Sequence, residues 1–539
     1  MLKSTEVCIL GGGLAGLTLA LQLKHARPDT DIVVLERRKG PAPDAGFKVG
    51  ESTVEIGAHY FCKNLNLASH LHEDQIRKFG FRFFFNDGSD RIDQCTEVGV
   101  SMLLPTASWQ LDRGRFENSL MAHAEAAGVR VVMDAVVKKV ELDEQGGLHG
   151  VEYEQGGARE TLASRWVVDA AGRANILKRK LSLAKPNAHD VNAVWARVEG
   201  CVDPNTWTDN EAWLDRCTPR ERWRSTNHLC GEGYWLWLIP LSSNAHSIGI
   251  VADQAIHPLE QMNTHEKFMQ WLSVHQPQLH ADLCKPEHAL IDFKFMRHFS
   301  HDCKQVFSKH RWALTGESGV FPDPFYSPGS DFIAISNTYI TDLICKDLSG
   351  HAIDMHADIY QQLLFSFHEN TMTLYQDQYA LFGNAMVMPV KVVWDYTYYW
   401  ALLAPLYISG RIAHLSVLAR LRGPMEAASR LNLLMQPVLR AWHHASQFGA
   451  PEDGRLLDQY KIDWFKEMNR SLTDVLTDAE FIARIESNIN TLTRLAAEIA
   501  DVIRARSPEV DLSALDAMFA KAEAPAAAPM LGAVWYASA

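Results

Sequence analysis

Residues 6–36 read EVCILGGGLAGLTLALQLKHARPDTDIVVLE, and no other stretch constrains the fold as tightly. A short apolar run, residues 7–10, breaks into GGGLAG at residues 11–16, after which Leu17, Leu19, Ala20 and Leu23 continue at helical spacing. The order strand, glycine turn, helix predicts a dinucleotide crevice. Gly11 permits the tight turn, Gly13 lets a pyrophosphate approach the backbone, and Gly16 lets the helix pack closely on the strand. The helix N-terminus, opening at Leu14 and Ala15, then faces the phosphates with free amides. A second apolar run ends in Glu36, a carboxylate placed to accept ribose hydroxyls, and an acid there favours an unphosphorylated adenosine ribose. A glycine turn with no ligand is the plain alternative. Strand, loop, helix, second strand and terminal acid together weigh against it, but they do not separate FAD from NAD.

At 539 residues, 47% of them hydrophobic, the chain can bury a large core and fill more than one domain. A formal net charge of -13 argues against nucleic acid as a partner, since neutralising phosphates takes clustered Lys and Arg. The 9 cysteines are scattered, with no C-x-x-C and no metal-ligand spacing, as free thiols of a reducing compartment would be. The first strand begins almost at the N-terminus, leaving no room for a signal peptide. The most apolar late segment, residues 398–409, is too short to span a bilayer. The expectation is a cytoplasmic protein with no membrane span.

Along the chain, residues 37–50 are rich in Gly, Pro and charge and lead into FKVGEST at 47–53. A helix is expected from Ser52, with Ser52 and Glu55 as a capping box. In QIRKFGFRFFF, residues 75–85, an extended segment puts Phe79, Phe81, Phe83 and Phe85 on one side with Lys78 at its start, where a lysine is ordinarily solvated. WQLDRGRFE at 109–117 leads into a helix that stops at Gly128. A strand over 129–133, a hairpin turning at Gly146 and Gly147, and a buried strand ending in Asp169 within RWVVDAAGR follow.

Residues 187–295 read as strands and turns rich in tryptophan, an aromatic sheet that suits a flat apolar substrate or is simply a tryptophan core. The apolar strand at 312–315 runs into GESGVFPDPFYSPGSD, 316–331, and then a helix to about Lys346. The helix N-terminus after Pro328 and Gly329 offers a second anion or flavin-edge site. Beyond 350 no strand signal is clear, and Leu492, Leu495, Ile499, Val502 and Ile503 form one apolar helical stripe. The expected organisation is an FAD-binding module over 1–345 with a substrate-sheet region at 187–300, a helical region over 346–521, and a linker and tail over 522–539 with exposed aromatics.

With these motifs laid out, the chain resembles the flavin-dependent halogenases, a branch of the FAD-binding aromatic hydroxylase-like fold. WLWLIP at 235–240 matches the family's W-x-W-x-I-P signature at every fixed position. The glycine loop, Gly50-Glu51-Ser52, the D-R-x-x-F run (Asp112, Arg113, Phe116), the D-A-A-G-R turn and the D-P-x-x-S-x-G loop (Asp323, Pro324, Ser327, Gly329) fall in the family's order. The resemblance implies an α/β fold: a Rossmann-like FAD-binding domain with an inserted antiparallel substrate sheet and a C-terminal helical region. It assigns FAD contacts to Gly11, Gly13, Leu14, Ala15, Gly16, Glu36, Arg37, Gly50, Glu51, Ser52, Arg113, Asp169, Gly316, Glu317 and Gly329.

The implied chemistry uses FAD reduced by a separate flavin reductase. Dioxygen and a halide, chloride or bromide, then yield hypohalous acid, which passes along a tunnel to a lysine that positions or covalently holds the halogen beside an electron-rich aromatic ring. That lysine is Lys78 by its place after the G-E-S turn, with Lys48 as the alternative. Ser327, Pro328, Gly329, Trp235, Trp237 and Pro240 fall at the halide site and tunnel, where the two tryptophans keep organic substrate off the flavin.

Two departures matter. Tryptophan-specific members carry a glutamate where this chain has Tyr326, which points to a phenol- or pyrrole-like substrate, free or tethered to an acyl carrier protein. Pro328 has no backbone N–H, so the turn lacks one halide donor and leaves bromide, or no halide, as open outcomes. The alternatives are therefore an FAD-dependent aromatic monooxygenase on the same scaffold and a non-catalytic flavin-binding partner of a biosynthetic assembly.

Overall fold

The computed structural model describes residues 3–46, 48–85, 91–446, 454–520 and 530–531. Its contacts divide the chain into two units, the first comprising 1–75, 111–188 and 300–369, the second 76–110, 189–299 and 370–539. Phe47, the expected linker over 522–529 and residues 532–539 of the expected tail lie outside the described residues. Of that tail, Met530 and Leu531 are buried: both backbone amides donate to the Glu498 carboxylate, and the Trp464 indole donates to the Met530 carbonyl.

The first unit is built on a sheet that is parallel from Trp312–Leu314 to Arg130–Val132, with Phe307–Ser308 antiparallel at its edge. Its strand order is Phe307–Ser308, Trp312–Leu314, Ala158–Asp169, Lys3–Leu10, Ile32–Leu35 and Arg130–Val132. The hairpin Ala135–Glu141/His149–Gln155 pairs antiparallel with the start of Ala158–Asp169. Residues 7–10, 32–35 and 166–168 are almost wholly inaccessible to solvent, the continuous apolar pattern of strands covered on both faces. Leu35, Leu10, Asp169 and Leu314 stand side by side at the carboxyl ends of adjacent parallel strands. The glycine turn leaves that edge from Leu10 and enters the helix Leu14–Ala26, whose Leu17, Leu19 and Leu23 are fully buried. Each such leucine contributes roughly 2 kcal/mol.

The helix expected from Ser52 begins instead at Glu55, with Val54 at the N-cap and no side-chain cap. Its third amide, that of Gly57, donates to the Asp331 carboxylate at 2.8 Å, so a distant residue does the work of a cap and Ser52 stays in extended backbone.

The second unit contains an eight-stranded sheet in the order Leu290–Met296, Val191–Glu199, Ala245–Asp253, Tyr234–Leu241, Thr226–Gly231, Phe81–Phe85, Thr96–Gly99 and Leu456–Asp458. The first five strands are antiparallel neighbours, and Phe81–Phe85 joins them in parallel with Thr226–Gly231. Leu456–Asp458 is a strand where only helix was expected; three residues pairing with Glu97–Gly99 are too few to show a period of two. The helices His265–His275 and Pro277–Leu283 also break a region expected to hold strands and turns. The first is capped by Thr264 and buries Phe268, Trp271 and Leu272, a helical spacing.

One face of this sheet packs Phe84, Leu229, Leu236, Leu238, Ile248 and Ile250 against those helices and Trp213. The opposite face carries the alternate residues. Phe83, His228, Trp237, Gly249, Trp195 and Lys294 are successive cross-strand partners on it. The helices Val387–Ala401, Leu415–Ala445 and Asp478–Arg506 complete the unit. The first two are tied by a buried network in which Lys391 donates to Asp395 and Gln436, and Trp394 and Gln436 donate to Asn432. No helix among the described residues is long and apolar enough to cross a membrane.

Candidate active site

In the first unit the carboxyl edge of the parallel sheet gathers the motifs that sequence reading singled out. Gly11 has φ +109°, and a Cβ there would lie 2.6 Å from the Ala170 carbonyl oxygen. A Cβ on Gly16 would overlap the Gly11 carbonyl oxygen. At Gly13 the nearest atoms to such a Cβ are Lys48 Nζ at 3.4 Å and Glu117 Oε1 at 4.0 Å, so its backbone faces a cradle lined by charge.

Glu36 is buried beside this loop. It accepts from the Gly12 amide at 2.7 Å, and from the backbone amide and Nε of Arg38 at 2.9 and 3.3 Å. Arg38 also donates to the Gly12 carbonyl, whereas the side chain of Arg37, the residue assigned from sequence, is exposed.

Arg113 donates to the Val49 carbonyl at 2.6 Å and forms an ion pair with Glu117 at 2.6 Å, one helical turn away. Lys48 meets the same carboxylate at 2.6 Å, and Arg38 stands 3.8 Å from it. Glu51 accepts the Leu111 amide through its carbonyl, which fixes the Gly50-Glu51-Ser52 turn beside the D-R-x-x-F helix, and Asp112 caps that helix. Burial alone pushes the Glu117 carboxyl up, but Arg113, Lys48 and Arg38 more than reverse it and hold the group below the usual carboxylate range. Glu117 and Arg38 were missed from sequence, although Glu117 follows Arg113 at i+4, a readable pairing.

The sign of the pH dependence follows. A carboxylate held low in the fold stabilises it fully above about pH 5 and loses that effect as acid titrates it near and below about pH 4. Glu117→Gln should therefore cost about 3 kcal/mol at neutral pH. Thermal unfolding against pH should show the gap between wild type and variant closing in acid; a gap that stays constant with pH would contradict the assignment.

Asp169 is buried and pinned by the amides of Ala171 and Leu177 and the hydroxyl of Ser318; burial nonetheless pushes its carboxyl up. Its carbonyl accepts the Thr315 amide, so the turn at Gly316 (φ +62°) lies against Ala15, 3.0 Å from a would-be Cβ. Glu317 lies 3.9 Å from Arg173. Lys178, almost fully buried, donates to the Gly319 carbonyl and contacts His301 at 2.9 Å, anchoring the same loop. In the turn that follows, the Ser327 amide donates to the Pro324 carbonyl, and Ser327 has φ +53°. The helix Gly329–Leu348 begins immediately after Pro328, and a Cβ at Gly329 would meet nothing within 4 Å. With Ser327 already bonded and Pro328 lacking N–H, the donors this turn can offer an anion are the opening helix amides from Gly329 onward.

FAD fits this edge on the protein's own terms. Arg38 Nη1 and Arg113 Nε are buried N–H groups with no partner, beside the Gly13 cradle, and an anionic diphosphate would satisfy such donors.

In the second unit, Lys78 is only 3% exposed, contrary to the solvated lysine expected at a strand end. Its amide donates to the Ser108 carbonyl, and Phe79 is held by the Arg224 carbonyl and the Ser225 hydroxyl. Gly80, at φ +71°, separates Phe79 from the strand, so Phe79 leaves the expected aromatic row and lies 5.8 Å from the Arg82 guanidinium. Phe81, Phe83 and Phe85 keep the row, and Lys78 Nζ rests 3.2 Å from the Phe81 ring centroid. Beneath this strand Glu97 is buried between Arg82 and Arg222, which fixes its position. The Trp235 indole donates to the Tyr379 hydroxyl at 2.9 Å and Trp237 to the Ser247 hydroxyl at 3.1 Å, while Pro240 continues the same buried strand. Among the described residues no His, Cys, Asp and Glu group could hold a metal ion.

Residues 4–287 match the family model described as FAD binding domain, just over half of the chain. The chain belongs to that family of FAD-binding flavoproteins. The flavin-dependent halogenase chlA of Dictyostelium discoideum is 28% identical over 434 residues, covering 75% of this chain and 70% of that protein. The 1H-pyrrole-2-carbonyl peptidyl-carrier protein chlorinase of Pseudomonas fluorescens is 24% identical over 343 residues, covering 60% and 72%. The crystal structure of halogenase PltM in complex with phloroglucinol and FAD shares the fold at TM-score 0.62 and 16% identity, covering 94% of this chain and 97% of that one. Within the FAD-binding family the chain therefore falls among the flavin-dependent halogenases, which are oxidoreductases.

Proposed function

We propose that the protein halogenates an electron-rich aromatic ring, phenol- or pyrrole-like, free or carried as a thioester on an acyl carrier protein, with Lys78 as the group that presents the halogen. The observation that carries this is the burial of Lys78 against Phe81, in a unit whose sheet face is lined by Phe83, His228, Trp235 and Trp237. The names of the relatives support the substrate class: one acts on a pyrrole-2-carbonyl held by a carrier protein, and one binds phloroglucinol.

FAD, reduced by a separate flavin reductase, would lie along the Gly11–Gly16 turn with Glu36, Arg38, Arg113 and the Gly316 loop as its contacts. With dioxygen it supplies the oxidising equivalents that turn halide into hypohalous acid. The ammonium of Lys78 donates to the oxygen of that acid, so the oxygen leaves as water while the halogen bonds to the ring. Halide would be held at Ser327–Gly329 by the helix amides. Trp235, Trp237 and Pro240 would keep the organic substrate from the flavin. In this reading residues 1–345 supply FAD binding with the substrate sheet over 187–300, and residues 346–521 close the aromatic face.

One observation favours a second reading: Pro328 and the bonded Ser327 amide leave fewer halide donors, which suits an aromatic monooxygenase. Incubation with reduced FAD, dioxygen, chloride or bromide, and phenols, pyrroles, indoles and pyrrolyl carrier thioesters decides between them. Halogenated phenol or pyrrole is expected; hydroxylated product alone would overturn the proposal.

A further inference from the structure

Electrophilic substitution needs a base as well as an electrophile, because the ring carbon that gains a halogen must lose a proton. In the D-P-F-Y-S-P-G loop the position before Ser327 is Tyr326, which is not a carboxylate. The second unit does contain a proton acceptor beside Lys78. His228 sits in the strand Thr226–Gly231 with 1% of its surface exposed. Its ring stacks on Phe83 at 4.6 Å and 18°, meets the edge of Phe81 at 5.2 Å, and lies 5.4 Å from Trp235. Lys78 Nζ lies on that same Phe81 ring, and Tyr396 meets it from the helix Val387–Ala401 at 6.0 Å. At most one aromatic ring therefore separates the imidazole from the ammonium.

Resting on the halogenase reading, we propose that His228 is the base that takes the ring proton. A histidine stacked in an aromatic core accounts for its burial. It does not require that the polar ring share Phe81 with the lysine that presents the electrophile. In the step the O–X bond of hypohalous acid breaks and the C–X bond forms. The departing oxygen takes a proton from the Lys78 ammonium and leaves as water, and the ring proton passes to the imidazole nitrogen. The imidazolium then gives its proton to the water formed in the step, from which Lys78 regains one, so lysine and histidine both end as they began. Neutral imidazole has one acceptor nitrogen, enough for this transfer. The ligand class is narrowed accordingly to rings that become acidic at carbon, or at a hydroxyl or N–H, once the halogen adds.

The test uses FAD-loaded enzyme with bromide and a ring-deuterated phenol or pyrrole. His228→Phe keeps the stacked ring and removes the acceptor; His228→Gln serves if the first variant does not fold, with retained FAD absorbance and thermal midpoint showing folding. Wild type should show no deuterium effect on kcat. The variant should lose about 10²-fold or more in kcat and acquire a primary deuterium effect, because proton loss becomes rate-limiting. A variant that halogenates at the wild-type rate without an isotope effect overturns the role of His228 and leaves the halogenase reading intact. A wild type that forms no carbon–halogen bond overturns both.

Discussion

Lys78→Ala should reduce halogenation by about 10³-fold or more while leaving FAD uptake unchanged. Other lysines of the fold, the alternative Lys48 among them, are held by polar partners. Lys391 is held by Asp395 and Gln436, Lys178 by the Gly319 carbonyl and His301, and Lys48 by Glu117. The ammonium of Lys78 rests on an aromatic face, where its charge is supported by a ring quadrupole. Lys78→Met, which keeps the apolar stem, should behave like the alanine variant, which separates charge from packing. Product formation and flavin reoxidation are measured together: reoxidation should continue while product disappears. Retained halogenation in both variants would move the role to Lys48.

Gly16→Ala should abolish FAD binding and destabilise the first unit by about 3 kcal/mol, since its Cβ would overlap the Gly11 carbonyl oxygen and the backbone must shift. Gly13→Ala is the matched control. Its Cβ meets nothing closer than Lys48 Nζ at 3.4 Å, so the fold should survive while the methyl group occupies the cradle and FAD is lost. Thermal midpoints and the flavin absorbance of purified protein report the two effects. Equal FAD content in Gly13→Ala and wild type would contradict the placement of the diphosphate.

The fingerprint was legible because its parts are consecutive: Leu10, Gly11, Gly16 and Glu36 lie in one βαβ unit, and local sterics decide their places. The same holds for the helix Arg113–Ala126, announced by Asp112, and for the turn at Asp169. What escaped depends on partners far along the chain. Ser52 reads as a cap, but the helix begins at Glu55, and its Gly57 amide donates to Asp331, 274 positions further along the chain. Lys78 reads as solvated from its strand end and as the site lysine only through the family resemblance, and its burial goes with backbone bonds of its segment to the Ser108 and Arg224 carbonyls. His228 is one polar residue in a short strand, and only the parallel pairing with Phe81–Phe85 brings it beside the aromatic row. Arg38 rather than Arg37 faces the loop, a choice that a strand's last residues do not encode.

A single turnover with dioxygen enriched in heavy oxygen, reduced FAD, bromide and an electron-rich phenol tests the central claim most directly. Mass spectrometry should find product carrying the bromine isotope doublet and no heavy oxygen, because that atom leaves as water. Product that carries heavy oxygen and no bromine would contradict it and establish a monooxygenase.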